Sequence, residues 1–163
     1  IYAKALADNI GALAGSGCWR VSLPFETGTA STARLMRLGD KWMPQPDAFL
    51  VGEALKAEGI KTCGFFIIGY PGETLDDMKG TLDYANSLSL DQRNISIATP
   101  YPGTPLYETC KAKGYLDKDG PELYRDLLYT HAMIRTPEFS PGQVEALKWG
   151  DRTEAIKRRG LCV

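Results

Sequence analysis

Glu26 is the acid best placed to act on a ligand. It follows the apolar run CWRVSLPF (18–25) and precedes Thr27 and Gly28. Its carboxylate would stand at the end of a strand, where it could accept hydrogen bonds from ribose-type hydroxyls; an exposed loop acid is the plain alternative. Lys41, in GDKW (39–42), could hold a carboxylate as a point charge, or be an ordinary loop lysine. His131, in LLYTHAM (127–133), is the single histidine. A site built from several histidines is therefore excluded. Nothing beside His131 resembles a nucleophile elbow, so it reads as a structural or surface residue. The four cysteines, Cys18, Cys63, Cys110 and Cys162, stand singly along the chain. Zinc and iron–sulfur sites take their ligands in close pairs or triplets, so these read as reduced cytosolic thiols packed as small hydrophobes. No catalytic side chain and no metal ligand is assigned.

Three loops collect the glycines and prolines that let backbone approach a ligand: PFETGT (24–29), GYPGET (69–74) and TPYPGTP (99–105). Gly28, Gly69, Gly72 and Gly103 permit close approach, and Pro71, Pro100, Pro102 and Pro105 preset the loop shapes. Ordinary strand-to-helix turns use the same residues, so one such loop alone would name nothing. GYPGET lacks the lysine of a phosphate loop, and Glu73 would repel phosphate. Glu73 is most simply a carboxylate stabilised at a helix N-terminus.

These loops need strands before them and helices after them. Ala3 to Leu13 favours a helix by composition, and Cys18 to Phe25 a short strand. Ala30 to Leu38 and Pro46 to Glu58 read as helices, the second stopped by Gly59. Ile60 to Ile68 is a nearly continuous apolar run, the signature of a parallel strand covered by helices. Thr74 with Asp77 forms a capping-box start. Leu75, Met78, Leu82, Ala85 and Leu88 then recur at helical spacing. Asn94 to Thr99 is a strand and Pro105 to Lys113 a helix. Ser140 and Gln143 cap a last helix that reaches Arg158. Strand, loop, helix in repetition predicts an α/β fold with parallel strands. The interesting loops then fall at the carboxyl ends of the strands, where such folds bind ligands.

Only three strands are legible, whereas a closed (β/α) barrel takes about 250 residues. The chain has 163 residues and opens on Ile1, and a partial TIM-like barrel within a longer protein is the expectation. The net charge of -1 suggests no nucleic-acid surface. The basic cluster Lys157-Arg158-Arg159 suits a helix C-terminus. No apolar run approaches the roughly 20 residues that span a bilayer, so no membrane partner is expected and the location is expected to be cytoplasmic.

In order, GCWRVSLPFETGT, GIKTCGFFIIGYPGET and ATPYPGTPLYE resemble the second half of radical S-adenosylmethionine (AdoMet) enzymes. The likeness is to the branch with an ESG-type acid motif and a GxPGET loop, which includes methylthiotransferases and many cobalamin-binding members. It covers residues 11 to 115. The resemblance implies residues 1–115 as the C-terminal half of the barrel and residues 116–163 as a helical extension. It places Glu26 against the AdoMet ribose and Lys41 against its carboxylate. Ile68, Gly69, Ala98 and Thr99 would flank the adenine through backbone and apolar contacts. The implied activity is reductive cleavage of AdoMet to methionine and a 5′-deoxyadenosyl radical, fed by an electron donor such as flavodoxin or ferredoxin. The substrate, a small molecule or a modified macromolecule, stays open.

Departures from the family pattern are equally plain. The CxxxCxxC that binds a [4Fe-4S] cluster and the glycine-glycine-acid segment are absent from this sequence, as expected if they lie in a preceding half. The acid motif is ETG rather than ESG. Pro24 stands where many members carry glycine, a change found in a cobalamin-associated subset, which leaves cobalamin open as a further cofactor. Two alternatives remain beside this reading: an α/β enzyme binding a phosphorylated metabolite, and a non-catalytic half-barrel that completes a partner.

Overall fold

The computed structural model describes residues 6–118, 122, 123, 128 and 130–158, with side chains described as far as 153. The expected start of the first helix, the side chains of the basic cluster and Cys162 lie outside the described residues. The elements run α1 (Ile10–Gly15), β1 (Arg20–Glu26), α2 (Ala30–Leu35), a 3₁₀ turn (Gly39–Lys41) and α3 (Gln45–Ala57). They continue with β2 (Lys61–Ile68), α4 (Leu75–Ser87), β3 (Gln92–Ile97), α5 (Pro105–Ala112) and α6 (Pro141–Arg158). The three strands form one sheet in the order β1-β2-β3, and β1 pairs β2 in parallel from Arg20↔Lys61 onward. A helix lies between successive strands in the chain, which is the α/β arrangement read from the loops and apolar runs.

Local chemistry explains the boundaries. Thr29 and Thr104 each accept a backbone N–H at the start of α2 and α5, from Thr32 and Tyr107. Pro105 then occupies a first-turn position where its missing N–H costs nothing. Ahead of α4, the Thr74 N–H donates to Asp77 Oδ2 at 2.9 Å, and the Asp77 N–H donates back to Thr74 Oγ1 at 3.1 Å. This is the expected reciprocal box. The N–H of Ser140 likewise donates to Gln143 Oε1 at 2.9 Å ahead of α6.

Two compact units divide the chain: residues 1–67 with 80–95, and residues 68–79 with 96–163. In the first, the core is an apolar cluster centred on Leu23, Phe25, Val51, Leu55, Phe66 and Tyr84. Phe25 and Phe66 stack with ring centroids 5.4 Å apart. Tyr84 meets both edge-on, at 6.0 and 5.9 Å, the geometry aromatic quadrupoles prefer. In the second unit Ile68, Met78, Ile97, Cys110, Ile134 and Val144 are buried, and Leu116 and Ile134 form an isolated antiparallel bridge.

The strands depart from the expectation of two covered faces. Leu23 and Phe25 are buried, whereas Ser22 and Pro24 are exposed. On β2, Phe65 is 40% exposed beside the fully buried Phe66. Register accounts for the exposed pair, since Pro24 lies beside Phe65 and side chains alternate across a sheet, whereas Cys63, paired with Ser22, is itself buried. One face therefore carries the core cluster, and the other leaves Ser22, Pro24 and Phe65 open.

The tightest contact in the first unit is between the 24–29 loop and α4. A Cβ added at Gly28 would lie 2.4 Å from Tyr84 Cβ and 2.9 Å from the Gly80 carbonyl oxygen. A Cβ added at Gly80 would lie 2.8 Å from Thr29 Cγ2. Gly28→Ala should therefore lower stability by about 1–3 kcal/mol, the usual cost of overpacking. Chemical denaturation of the two proteins would measure it.

Candidate functional site

At the end of β1 the chain leaves the regular strand. Pro24 pairs with Phe65 and Glu26 with Phe66, which makes Phe25 the extra residue of a bulge. The Thr27 N–H then donates to the Phe25 carbonyl at 2.8 Å, and Glu26 between them has φ of 63°. An i to i+2 hydrogen bond around a residue of positive φ is a γ-turn in its strained form. For a residue with a side chain this conformation costs on the order of 1–3 kcal/mol. It persists because the flanking residues are bound on both sides.

Those bonds are specific. Thr27 Oγ1 and Thr81 Oγ1 lie 2.9 Å apart in a buried hydrogen bond, and the Gly28 N–H donates to Thr81 Oγ1 at 3.2 Å. The Thr29 N–H donates to Thr27 Oγ1 at 3.3 Å. Trp42 Nε1 donates to the Thr27 carbonyl at 3.0 Å, tying the segment after Lys41 to the segment after Glu26.

Glu26 and Lys41 consequently line one pocket of about 150 Å³, with Leu23, Pro24, Phe25, Leu38 and Met43 as its remaining walls. Two residues singled out from the sequence thus line the same space. Burial pushes the Glu26 carboxyl above its ordinary range, and the nearby Lys41 ammonium opposes that shift. The pocket offers an acceptor, a cation and apolar walls, a set suited to a ligand bearing hydroxyls and a carboxylate.

In the second unit the Ala98 N–H donates to the Ile68 carbonyl at 2.9 Å, and both residues are buried. Thr99 Oγ1 donates to the Ile97 carbonyl at 3.0 Å. Gly69 has φ of 83°, and a Cβ there would come within 3.0 Å of Val144 Cγ1. Ile68 and Ala98 are thus bonded directly, with Gly69 and Thr99 next to them in the chain. The GYPGET loop beside them is closed on itself. The Glu73 N–H donates to the Tyr70 carbonyl at 3.0 Å, and Gly72 at φ 92° follows Pro71, as a type II turn requires. Glu73 is fully buried, and its Oε2 accepts the Tyr70 N–H at 2.6 Å. The simple reading of Glu73 as a helix-terminus carboxylate is therefore corrected, since its side chain clasps its own loop. Asp76 and Asp77 follow in the first turn of α4, a poor place for a phosphate.

His131 lies on the surface, with Nδ1 3.7 Å from Glu145. Cys63 and Cys110 are buried, and burial pushes the Cys110 thiol up to about 11, which keeps it protonated and unreactive. Among the described residues no group of three or more His, Cys, Asp or Glu could hold a metal ion. The described residues therefore do not fit an iron–sulfur cluster. No described helix is long and apolar enough to cross a membrane.

No family model matches the chain. Curated relatives do. An uncharacterized methyltransferase of Pyrococcus horikoshii is 37% identical over 105 residues, 64% of this chain and 22% of that protein. The cytidylyl-2-hydroxyethylphosphonate methyltransferase of Streptomyces wedmorensis is 27% identical over 137 residues, 80% of this chain and 25% of that protein. A tRNA-2-methylthio-N(6)-dimethylallyladenosine synthase of Alkalilimnicola ehrlichii is 32% identical over 109 residues, 66% and 22% of the two chains. This chain thus spans 22% to 25% of the length of these relatives. Among solved structures, coproporphyrinogen III oxidase of Escherichia coli, a radical SAM enzyme, superimposes with a TM-score of 0.60 at 14% identity. The match covers 93% of this chain and 29% of that one. The fold is accordingly part of a TIM-like (β/α) barrel.

Glu26 also makes a stability prediction. Its raised folded pKa means that ionisation disfavours the fold, so stability falls as pH rises from the ordinary carboxyl range through the folded value. Glu26→Gln should raise the unfolding midpoint at neutral pH. The gain should vanish below about pH 4, where carboxyls are protonated in both states. Thermal melts across pH would read this directly.

Proposed function

Since the chain belongs to the radical AdoMet family, we propose that it supplies the AdoMet-side residues of a longer radical enzyme. Glu26 carries the reading. A carboxylate held in a strained turn, half-buried and opposite a lysine, is an arrangement a protein maintains for a ligand rather than for stability. In this role Glu26 accepts hydrogen bonds from the ribose diol, and Lys41 pairs with the methionine carboxylate. Leu23 and Met43, both buried, shield the half-buried Glu26 from water, which strengthens its interaction, while Lys41 acts from an exposed position. Ile68, Gly69, Ala98 and Thr99 are proposed to contact the adenine, on the family resemblance. The pocket is smaller than the roughly 300–1,000 Å³ of sites that enclose a whole small ligand, so it would seat one portion of AdoMet.

When bound and reduced by one electron, AdoMet supplies a radical able to abstract hydrogen from substrate. The cluster ligands would come from elsewhere in the longer protein, and a flavodoxin- or ferredoxin-type protein would deliver the electron. The relatives include both methyltransferases and tRNA methylthio synthases, so methyl or methylthio transfer is the reaction class proposed for the whole protein. The phosphorylated-metabolite alternative is weakened by Glu73, Asp76 and Asp77 at the GYPGET loop, the segment whose sequence comes nearest to a phosphate loop among the described residues.

The test is made on the full-length protein, purified without oxygen, reconstituted with iron and sulfide, and given dithionite and AdoMet. Formation of 5′-deoxyadenosine is expected. Glu26→Ala should weaken AdoMet binding by about 10- to 100-fold, the yield of hydrogen bonds to a charged group. Lys41→Met should weaken it by a smaller factor. Absence of AdoMet cleavage, or affinities unchanged by both substitutions, would remove the reading.

A further inference from the structure

We propose that Thr81 and Tyr84 are positioning residues that hold Glu26 and Lys41 as one fixed pair, an inference that rests on the AdoMet reading above. Neither residue lines the pocket. Thr81 is fully buried and binds the segment that follows Glu26, through Thr27 Oγ1 at 2.9 Å and the Gly28 N–H at 3.2 Å. One turn further along α4, the Tyr84 hydroxyl donates to the Met43 carbonyl at 2.8 Å, binding the segment that follows Lys41. Residues three apart share a helix face, so one rigid element grips both walls of the pocket.

The two walls are also joined to each other, by the Trp42 Nε1 bond to the Thr27 carbonyl at 3.0 Å. Thr81, Thr27, Trp42, Met43 and Tyr84 thereby close a ring of contacts, and the pocket lies between its two arms. The close packing of Gly28 on Tyr84 and Gly80 removes any slack. Burial, and secondarily the negative charge of Asp47, push the Tyr84 hydroxyl far above its ordinary range, so it remains a donor at any working pH. Its ring is packed against Phe25 and Phe66, which fixes the direction in which the hydroxyl points. The geometry assigns α4 a duty besides covering the sheet: it sets the spacing of an acid and a cation in a pocket that none of its own residues lines.

A purely structural role would lower stability without regard to Glu26 or Lys41, and mutant cycles separate the two cases. The experiment uses the full-length reconstituted protein and equilibrium dialysis with AdoMet. Thr81→Val and Tyr84→Phe are each expected to weaken binding about three- to tenfold, the scale of one lost hydrogen bond. Thr81→Ser, which keeps the hydroxyl, should restore most of the affinity. In a Lys41→Met background Tyr84→Phe should cost little further, and in a Glu26→Gln background the same should hold for Thr81→Val. Factors that multiply unchanged in those backgrounds would overturn the proposal. If Glu26→Gln and Lys41→Met themselves leave AdoMet binding unaltered, the AdoMet reading falls. Titration of labelled Glu26 by carboxyl NMR then decides the positioning role. Lys41→Met and Tyr84→Phe raising the Glu26 pKa alike would support it, and a rise with Lys41→Met alone would overturn it.

Discussion

The 24–29 loop and helix α4 approach so closely that neither backbone can carry a side chain at the contact. Gly28 and Gly80 meet there, and Thr81 fills the adjacent position with a hydroxyl that satisfies a backbone N–H. Much of the first unit follows from this constraint. With the loop pressed on the helix, Phe25 reaches Phe66 and Tyr84, and the aromatic group becomes the centre of the core. The same pressure holds the end of β1 in its bulge and turns Glu26 into a conformation that it would not adopt alone.

Strain and burial at Glu26 act in the same direction, since both raise the free energy of the folded chain. They are tolerated because the surrounding bonds are numerous and short-ranged in space, though distant in sequence. A site of this kind is pre-organised: the unfavourable work is done during folding, so a ligand meets a carboxylate that is already placed and partly desolvated. Lys41 moderates the arrangement without cancelling it, because it remains exposed and its charge is screened by solvent.

Much of this was legible from residue order. The apolar run before Gly69, the Thr74–Asp77 pair and the Thr104–Pro105 start each announce an element through local chemistry, and each element forms close to its expected bounds. Glu26 and Lys41 were recognisable as polar residues in loops after elements, and the pocket joins them. Thr81, Tyr84 and Trp42 gave no comparable signal. A threonine and a tyrosine inside an amphipathic helix look like filler, and their partners lie about forty or more positions away along the chain. The two glycines on facing elements, Gly28 and Gly80, were the available hint, and only a contact map turns them into a pair. The half-open sheet was missed for a related reason. An apolar run states that a strand can be covered on both faces, whereas register decides which of its residues are.

The GYPGET loop and the PFETGT loop are held by bonds of different reach along the chain. The bonds described in the first, Tyr70 with Glu73 and Thr74 with Asp77, each span three residues, so their closure costs little chain entropy. The second is held by Thr81, more than fifty residues downstream. Its geometry cannot exist until α4 has docked. The corner after β2 is thus held by local bonds, whereas the acid-bearing turn after β1 depends on tertiary contact with α4.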